Sequence, residues 1–239
     1  MKLIKIVFVL LGTLWLQGCA SPQEAEINAL KAELAEVKQL QALIARKIGM
    51  GDRVRPDSIE MADGIRVGSN NANVAIIEFT DLHCPFCKKF HEEVYPELKQ
   101  AYIDTNKLLF VGRELPLLNL HKNAGMAAVI LRCANQQNKY AEVKNELFSI
   151  GASGLTLDYL NTIPDTFSLD SDAFQHCLKN TDVHNSVTLS AKYASEMGLG
   201  DTPAFVIGRI DGDTVTDYEI IVGAKSVEEF SKIIDELAK

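Results

Sequence analysis

The chain has 239 residues, of which 47% are hydrophobic and 23% charged. That is enough apolar material for one ordinary domain with appendages. Acidic residues outnumber basic ones, the net charge is −8, and there is no basic stripe, which removes nucleic-acid binding from the candidate functions.

Residues 1–18 do not belong to the domain. Lys2 and Lys5 form a basic start, Ile6–Leu16 is apolar, and Gly18 ends the stretch. This is the pattern of an export signal, with an apolar run too short for a comfortable membrane span. Leu16-Gln17-Gly18-Cys19 resembles the lipobox of bacterial lipoproteins, in which the cysteine becomes the lipidated first residue. Gln17 departs from the small or aliphatic residue usual there, and the alternative is an ordinary cleaved signal followed by a chance cysteine. Ala20 follows, not the aspartate that resembles an inner-membrane retention signal. The expected location is therefore the periplasm, with a lipid on Cys19 anchoring the protein in the outer membrane. Without residues 1–18, which carry two lysines and no acid, the net charge is −10.

Residues 24–48 contain neither Gly nor Pro and read as one helix. Apolar side chains at Ile27, Leu30, Leu34, Val37, Ile44 and Ile48 alternate three and four apart, with Gln41 the polar member of the seam. In heptad terms 27, 34, 41 and 48 are a positions and 30, 37 and 44 are d positions. Glu26 and Glu33 then fall at g, Lys31 and Lys38 at e, so that each Glu faces a Lys on a parallel partner. Segment 19–48 is read as a lipid-anchored oligomerisation helix, for a dimer or trimer; the alternative is a solvated spacer.

Residues 49–63 read as a linker, and turn-forming residues persist to Asn73, around a short edge strand at Gly64–Gly68. Val74–Thr80 is an apolar run of strand length, followed by a short loop and a helical pattern from Lys88 to Tyr102. Lys107–Gly112 is the next strand, and Arg113–Leu117 is expected to leave the sheet. The stretch from about 119 to 198 is helical in pieces: His121–Gln136, Lys139–Gly151, Thr156–Ile163, Ser171–Lys179 and Thr181–Met197. Strands return at Ala204–Gly208 and Thr214–Val222, separated by Asp211-Gly212-Asp213, and Val227–Leu237 is a final amphipathic helix. The order is that of an α/β thioredoxin-like fold over residues 64–239 with an all-helical insertion, preceded by a coiled-coil-like helix.

Cys84-Pro85-Phe86-Cys87 follows the first strong strand directly. Cys84 then lies at a helix N-terminus, where backbone N–H groups and the helix dipole favour a thiolate. A thiolate two residues from a second cysteine can attack a disulfide and be released by its neighbour. Cys133 and Cys177 remain; in an oxidising periplasm they are expected to form a structural disulfide, the alternative being two buried thiols. His83 and His91 flank the pair, but zinc would need both imidazoles to converge with both sulfurs, so no metal or other cofactor is expected. His83 reads as a neighbour tuning Cys84. His121, His176 and His184 have no recognisable spacing and read as surface or packing residues.

Glu78-Phe79, Cys84-Pro85-Phe86-Cys87, the helical insert and Gly200-Asp201-Thr202-Pro203 together resemble the DsbA-like branch of the thioredoxin superfamily. The resemblance covers about residues 60–238. It implies an exposed nucleophile at Cys84, a buried resolving thiol at Cys87, a cis-proline at Pro203 preceded by Thr202, and a buried acid at Glu78 that relays the proton of Cys87. Without that role Glu78 would be a strand residue paired with a lysine, such as Lys107. Phe86 stands where DsbA has histidine, so a less acidic Cys84 and a less oxidising pair are expected. Thr202 resembles the residue used by the isomerases of the superfamily. The implied function is isomerisation or oxidation of disulfides in exported proteins, with a membrane redox partner. A lipid-anchored chaperone or scaffold, and a metal-tolerance protein on the same fold, are the alternatives.

Overall fold

A computed structural model describes residues 22–47 and 55–239. The signal segment 1–18, Cys19 and residues 48–54 lie outside the described residues. The chain divides into two units, Met1–Met50 and Gly51–Lys239. In the first, helix α1 spans Pro22–Lys47. Its apolar positions Ile27, Leu30, Leu34, Val37 and Ile44 are all at least half exposed. Among the described residues no helix is long and apolar enough to cross a membrane.

The second unit is built on strands β1 (Ile59–Glu60), β2 (Ile65–Gly68), β3 (Val74–Thr80), β4 (Leu108–Glu114), β5 (Ala204–Asp211) and β6 (Thr214–Val222). They form one sheet in the order β1-β6-β5-β3-β4-β2, with β3 and β4 parallel and the other pairs antiparallel. β3 is central and covered on both faces, which is why its sequence shows an apolar run in place of an alternation. Val74 and Ile76 pack with Phe90, Phe110, Phe205 and Phe230 on one face. Ala75, Ile77 and Phe79 pack with Val111, Val206, Ala194 and Met197 on the other.

Two expectations are corrected at the edges. The segment 49–63 is not all linker, because Ile59 and Glu60 pair with β6 and both Ile59 and Met61 are fully buried. Arg113 and Glu114 stay in the sheet, paired with Phe79 and Thr80 of β3; Arg132 of the helical insert meets the Glu114 carboxylate, and the Arg113 guanidinium lies 4.9 Å from the centre of the Tyr193 ring.

The helix after β3 is continuous from Pro85 to Ile103 but irregular: α2 (Pro85–Lys89), a π segment Phe90–Val94, α3 (Tyr95–Leu98) and a second π segment Lys99–Ile103. Pro96 has no N–H to return to the previous turn, and the helix absorbs this by widening, with Tyr95 N–H reaching Phe90 O. The insert contributes α4 (Ala124–Gln136), α5 (Tyr140–Ile150), α6 (Leu157–Leu160), α7 (Ile163–Thr166), α8 (Ser171–Leu178) and α9 (Thr181–Glu196). The expected helix Thr156–Ile163 is two short ones, because Pro164 lies in the first turn of α7 and starts a helix there. Helix α10 (Val227–Leu237) opens on a capping box between Ser226 and Glu229.

Cys133 of α4 and Cys177 of α8 are joined by a disulfide across 44 residues, inside the apolar cluster of the insert. Closing a loop of that length restricts the unfolded chain. The double substitution Cys133→Ala/Cys177→Ala is expected to lower stability by about 2–4 kcal/mol in urea denaturation, with the active-site sulfurs still reactive.

Candidate active site

The strand β3 ends at Thr80, and residues 81–84 turn the chain into α2. Cys84 is the N-cap, with extended backbone angles, and Pro85 follows at the first helical position, where no N–H is required. The turn is closed by Cys84 N–H donating to Asp81 O at 3.0 Å. Cys84 and Cys87 are both free thiols.

The two sulfurs differ sharply in environment. Cys87 has no exposed surface and Cys84 keeps only 6% of its own. The expectation of an openly exposed Cys84 is therefore corrected: its Sγ lies 3.3 Å from the Thr202 carbonyl, and the attacking sulfur is reached over a narrow patch. Phe86, by contrast, is 62% exposed and covers none of the core.

The Cys84 thiol is lowered to about 5, above all by the Cys87 thiol donating to it, against the opposing effect of burial. The Thr202 hydroxyl and the N–H groups of Cys87 and Phe86 add to the lowering. As a thiol, Cys84 donates to the Thr202 carbonyl; as a thiolate, it can accept a hydrogen bond from the Thr202 hydroxyl, which has no other partner. Cys87 is pushed up by burial and then by the neighbouring Cys84, with the Thr80 hydroxyl and the Asp81 N–H (3.5 Å from its sulfur) easing it slightly. One sulfur is thus held as an anion and the other as its proton donor. The Thr202–Pro203 peptide bond is cis and completes the wall beside Cys84.

Glu78 is fully buried on the face of β3 that also carries Thr80. Its partner is Lys144 of α5, at 2.7 Å, and not Lys107. The Lys144 ammonium is buried among rings, 5.3 Å from the centre of Phe110 and 5.4 Å from that of Tyr140. Burial pulls Lys144 down, but Glu78 and the surrounding Tyr residues outweigh it and hold the ammonium charged. Gly112, opposite Glu78 in the register, leaves room for the Tyr140 hydroxyl, which any Cβ there would meet. Glu78 Oε1 has no hydrogen-bond partner. His91 is buried, with Nε2 2.6 Å from Asn145 Oδ1 and its ring stacked on Tyr95. Burial, then Lys144, lowers its imidazole to about 4.

Besides Lys144, two residues at the active-site turn were missed by sequence reasoning. Asp81 has a fully buried carboxylate that accepts from His83 N–H at 2.7 Å, Leu117 N–H at 2.8 Å and His121 Nδ1–H at 2.9 Å. His121, expected to be an ordinary surface or packing residue, is thereby fixed beside the active-site turn, and its ring stacks on His83 at 5.7 Å. The one signal available was an acid in the loop before the cysteines; nothing marked its histidine 40 residues away. His83 is lowered by burial, so its ring is neutral near the nucleophile, with Nε2 3.4 Å from Leu155 O.

Two outcomes follow from this arrangement. A depressed thiol stabilises the folded reduced form fully above the ordinary thiol pKa, and that stability drains away as pH falls toward the folded value. The reduced form is therefore expected to lose about 2 kcal/mol relative to the oxidised form between pH 7 and pH 5, read from urea denaturation of both forms; parallel curves would contradict the thiolate. Lys144→Met strands the Glu78 carboxylate and is expected to cost about 3–5 kcal/mol, much of which Glu78→Gln in the same chain should restore.

The family model described as Thioredoxin matches residues 60–236. A Rickettsia conorii protein named "Putative protein-disulfide oxidoreductase" is 25% identical over 169 residues, which are 68% of this chain and 60% of that protein. The chain thus spans about three fifths of the length of that relative. The crystal structure of Wolbachia pipientis alpha-DsbA1 superposes with a TM-score of 0.63 at 28% identity, over 72% of this chain and 89% of that one. Oxidised BdbD from Bacillus subtilis has the same fold, with a TM-score of 0.63 at 16% identity over 77% and 99% of the two chains. The sheet, the Cys84–Cys87 turn and these matches together assign the chain to the thioredoxin family, among its DsbA-like members.

Proposed function

We propose that the protein is a periplasmic thiol–disulfide oxidoreductase that acts on exported proteins. The observation that carries this reading is the pairing of a Cys84 thiolate with a buried Cys87 thiol. In oxidation, a client thiolate attacks Cys84 Sγ of the closed pair, the Cys84–Cys87 bond breaks, and Cys87 leaves and takes up a proton. A second client thiolate then attacks the client sulfur of the mixed disulfide and releases Cys84 as thiolate. The client loses two electrons and the protein gains them. In isomerisation the open pair starts the cycle: Cys84 attacks a wrong client disulfide and frees one client thiolate, another client thiolate attacks the client sulfur of the mixed disulfide, and Cys84 is released with no net electron transfer; where the client stalls, Cys87 attacks Cys84, which closes the pair and releases the client reduced by two electrons.

Isomerisation is the favoured direction. The support is Thr202 beside Cys84, the Phe86 side chain where a charged or hydrogen-bonding group would deepen the thiolate, and the heptad helix. A thiol near 5 lies between the reference values of about 7 for thioredoxin and about 3.5 for DsbA, which supports a pair less oxidising than the latter. Glu78, with Oε1 unpartnered on the sheet face that also carries Thr80, is the acid assigned to carry the Cys87 proton during resolution. The exposed stripe of α1, with Glu26 and Glu33 set against Lys31 and Lys38, supports a dimer or trimer with active sites on one particle. The Leu16–Cys19 motif supports a lipid anchor at the outer membrane, and a membrane redox partner would reset the pair.

Cys87→Ala removes the escape route and is expected to accumulate mixed disulfides between Cys84 and client proteins, seen as adducts that disappear on reduction. A chaperone or scaffold would form none, and a metal-tolerance protein would retain metal when purified reduced without chelator. Deleting residues 22–47 is expected to bring the solution mass down to one chain per particle and to lower refolding of a scrambled disulfide client. Unchanged mass and activity would remove the coiled coil from the account.

A further inference from the structure

One residue along the chain from Cys84, which does not itself line it, the surface opens into a groove of about 360 Å³. His83, the residue before the nucleophile, forms one side, and the loops carrying His121, Lys122, Asn123 and Thr156 form the rest. No Asp or Glu lines it, in a chain where acids outnumber bases by eight. Lys122 is exposed and is the one Lys or Arg in the lining. The Asp81 carboxylate, which accepts from His121, is buried with three donors already on it. His121 gives Nδ1 to that carboxylate, so the Nε2 edge of the ring points away from it.

The end of α4 reinforces the sign of the charge. This helix has 13 residues and begins at Ala124, next to Lys122 and Asn123. Its first turn contains no acid, and Asn123 does not cap it, because the Asn123 amide donates to Leu155 O instead. The positive end of the helix dipole is therefore left uncompensated at the groove.

We propose that this groove receives an acidic side chain, Asp or Glu, of the client polypeptide, close in sequence to the cysteine that reacts with Cys84. The inference rests on the disulfide-exchange reading above. It adds a selection that the sulfur chemistry does not supply: Cys84 attacks or is attacked by any accessible sulfur, whereas the groove favours cysteines with an acid nearby. Lys122, with the imidazoles and the end of α4 behind it, supplies the attraction, and the absence of lining carboxylates leaves nothing to oppose it.

The test uses the oxidised full chain and short peptides with one cysteine, acetylated and amidated so that no terminal carboxylate is present. The residue on either side of the cysteine is Glu, Gln or Lys. Formation of the mixed disulfide is followed by acid quench and mass spectrometry, and each rate is divided by that of the same peptide with a small uncharged disulfide, which removes differences in peptide thiol acidity. For at least one side, Glu is expected to react about fivefold faster than Gln, and Lys more slowly than Gln. Salt at 0.5 M should shrink the spread. Lys122→Glu should reverse the order and Lys122→Gln should flatten it; Lys122 is exposed, so neither change disturbs the core. Rates within twofold of each other on both sides, or an order untouched by Lys122→Glu, would overturn the groove while leaving exchange intact. If the Gln peptide does not react at all, the exchange reading fails and the groove proposal with it.

Discussion

The hydrogen bond from the Cys87 thiol to the Cys84 sulfur is the interaction on which the rest of the site depends. It gives two chemically identical side chains opposite tasks. Burial raises both thiols, because it penalises an anion wherever it forms. The helix N-terminus and Thr202 reach only Cys84, while Cys87 sits one turn further into the core with no exposed surface. The proton therefore stays on the inner sulfur, and the inner sulfur spends it on stabilising the outer one. Every neighbouring element serves that asymmetry. Pro85 starts the helix at the residue after Cys84, and the closed turn back to Asp81 fixes the direction of the Asp81 N–H at Cys87.

The helical insert is fastened to the sheet by charges with a consistent division of labour. The sheet and its active-site turn bring the acids, and the insert and the loop leading to it bring the donors that meet them: a lysine, an arginine and a histidine N–H. Glu78 of β3 meets Lys144 of α5, Glu114 of β4 meets Arg132 of α4, and Asp81 meets His121. Breaking any of these by removing one partner leaves a buried charge uncompensated, so the pairs fix where the insert sits even where they add little net stability. The Arg132 guanidinium makes the point geometrically, since it reaches both oxygens of Glu114 and also the Asp63 carbonyl before β2. The disulfide and apolar cluster hold the insert together internally; these ion pairs hold it in register with the cysteines.

The parts legible in the sequence were those set by local rules. The run Val74–Thr80, the cysteine turn, the Thr202–Pro203 step and the amphipathic helix Val227–Leu237 are each written in consecutive residues, and the structure places α10 at those bounds. What escaped was set by distant partners. Arg113 and Glu114 look like the end of a strand because charges are unexpected in a buried sheet, and only Arg132 from the insert makes Glu114 tolerable there. Ile59 and Glu60 look like linker because two residues carry no periodicity, yet β6 recruits them to its free edge. Lys144 reads as one more surface lysine of an amphipathic helix until the ring cage around it is seen. Leu155, Asn123 and His121 converge on the active-site turn from loops whose sequences specify no geometry at all.

Asp81 poses the sharpest electrostatic question, because a buried carboxylate beside a site that stores a thiolate should work against it. The resolution lies in where its charge is met. Its three donors, two from backbone N–H groups and one from His121, point at the carboxylate from the side of the Leu117–His121 loop and the turn itself. Hydrogen bonds of this kind to a carboxylate are among the stronger ones in a protein interior, and they offset part of its charge at the turn. The backbone of the same residue acts in the opposite sense, with its N–H aimed at Cys87. A side chain that anchors and a main chain that donates are thus combined in one position, which explains why an acid can stand three residues before the nucleophile without raising it. The cost is that His121 is drawn to the edge of the site, and with it the loop carrying Lys122; the local positive surface beside Cys84 is a by-product of holding the turn.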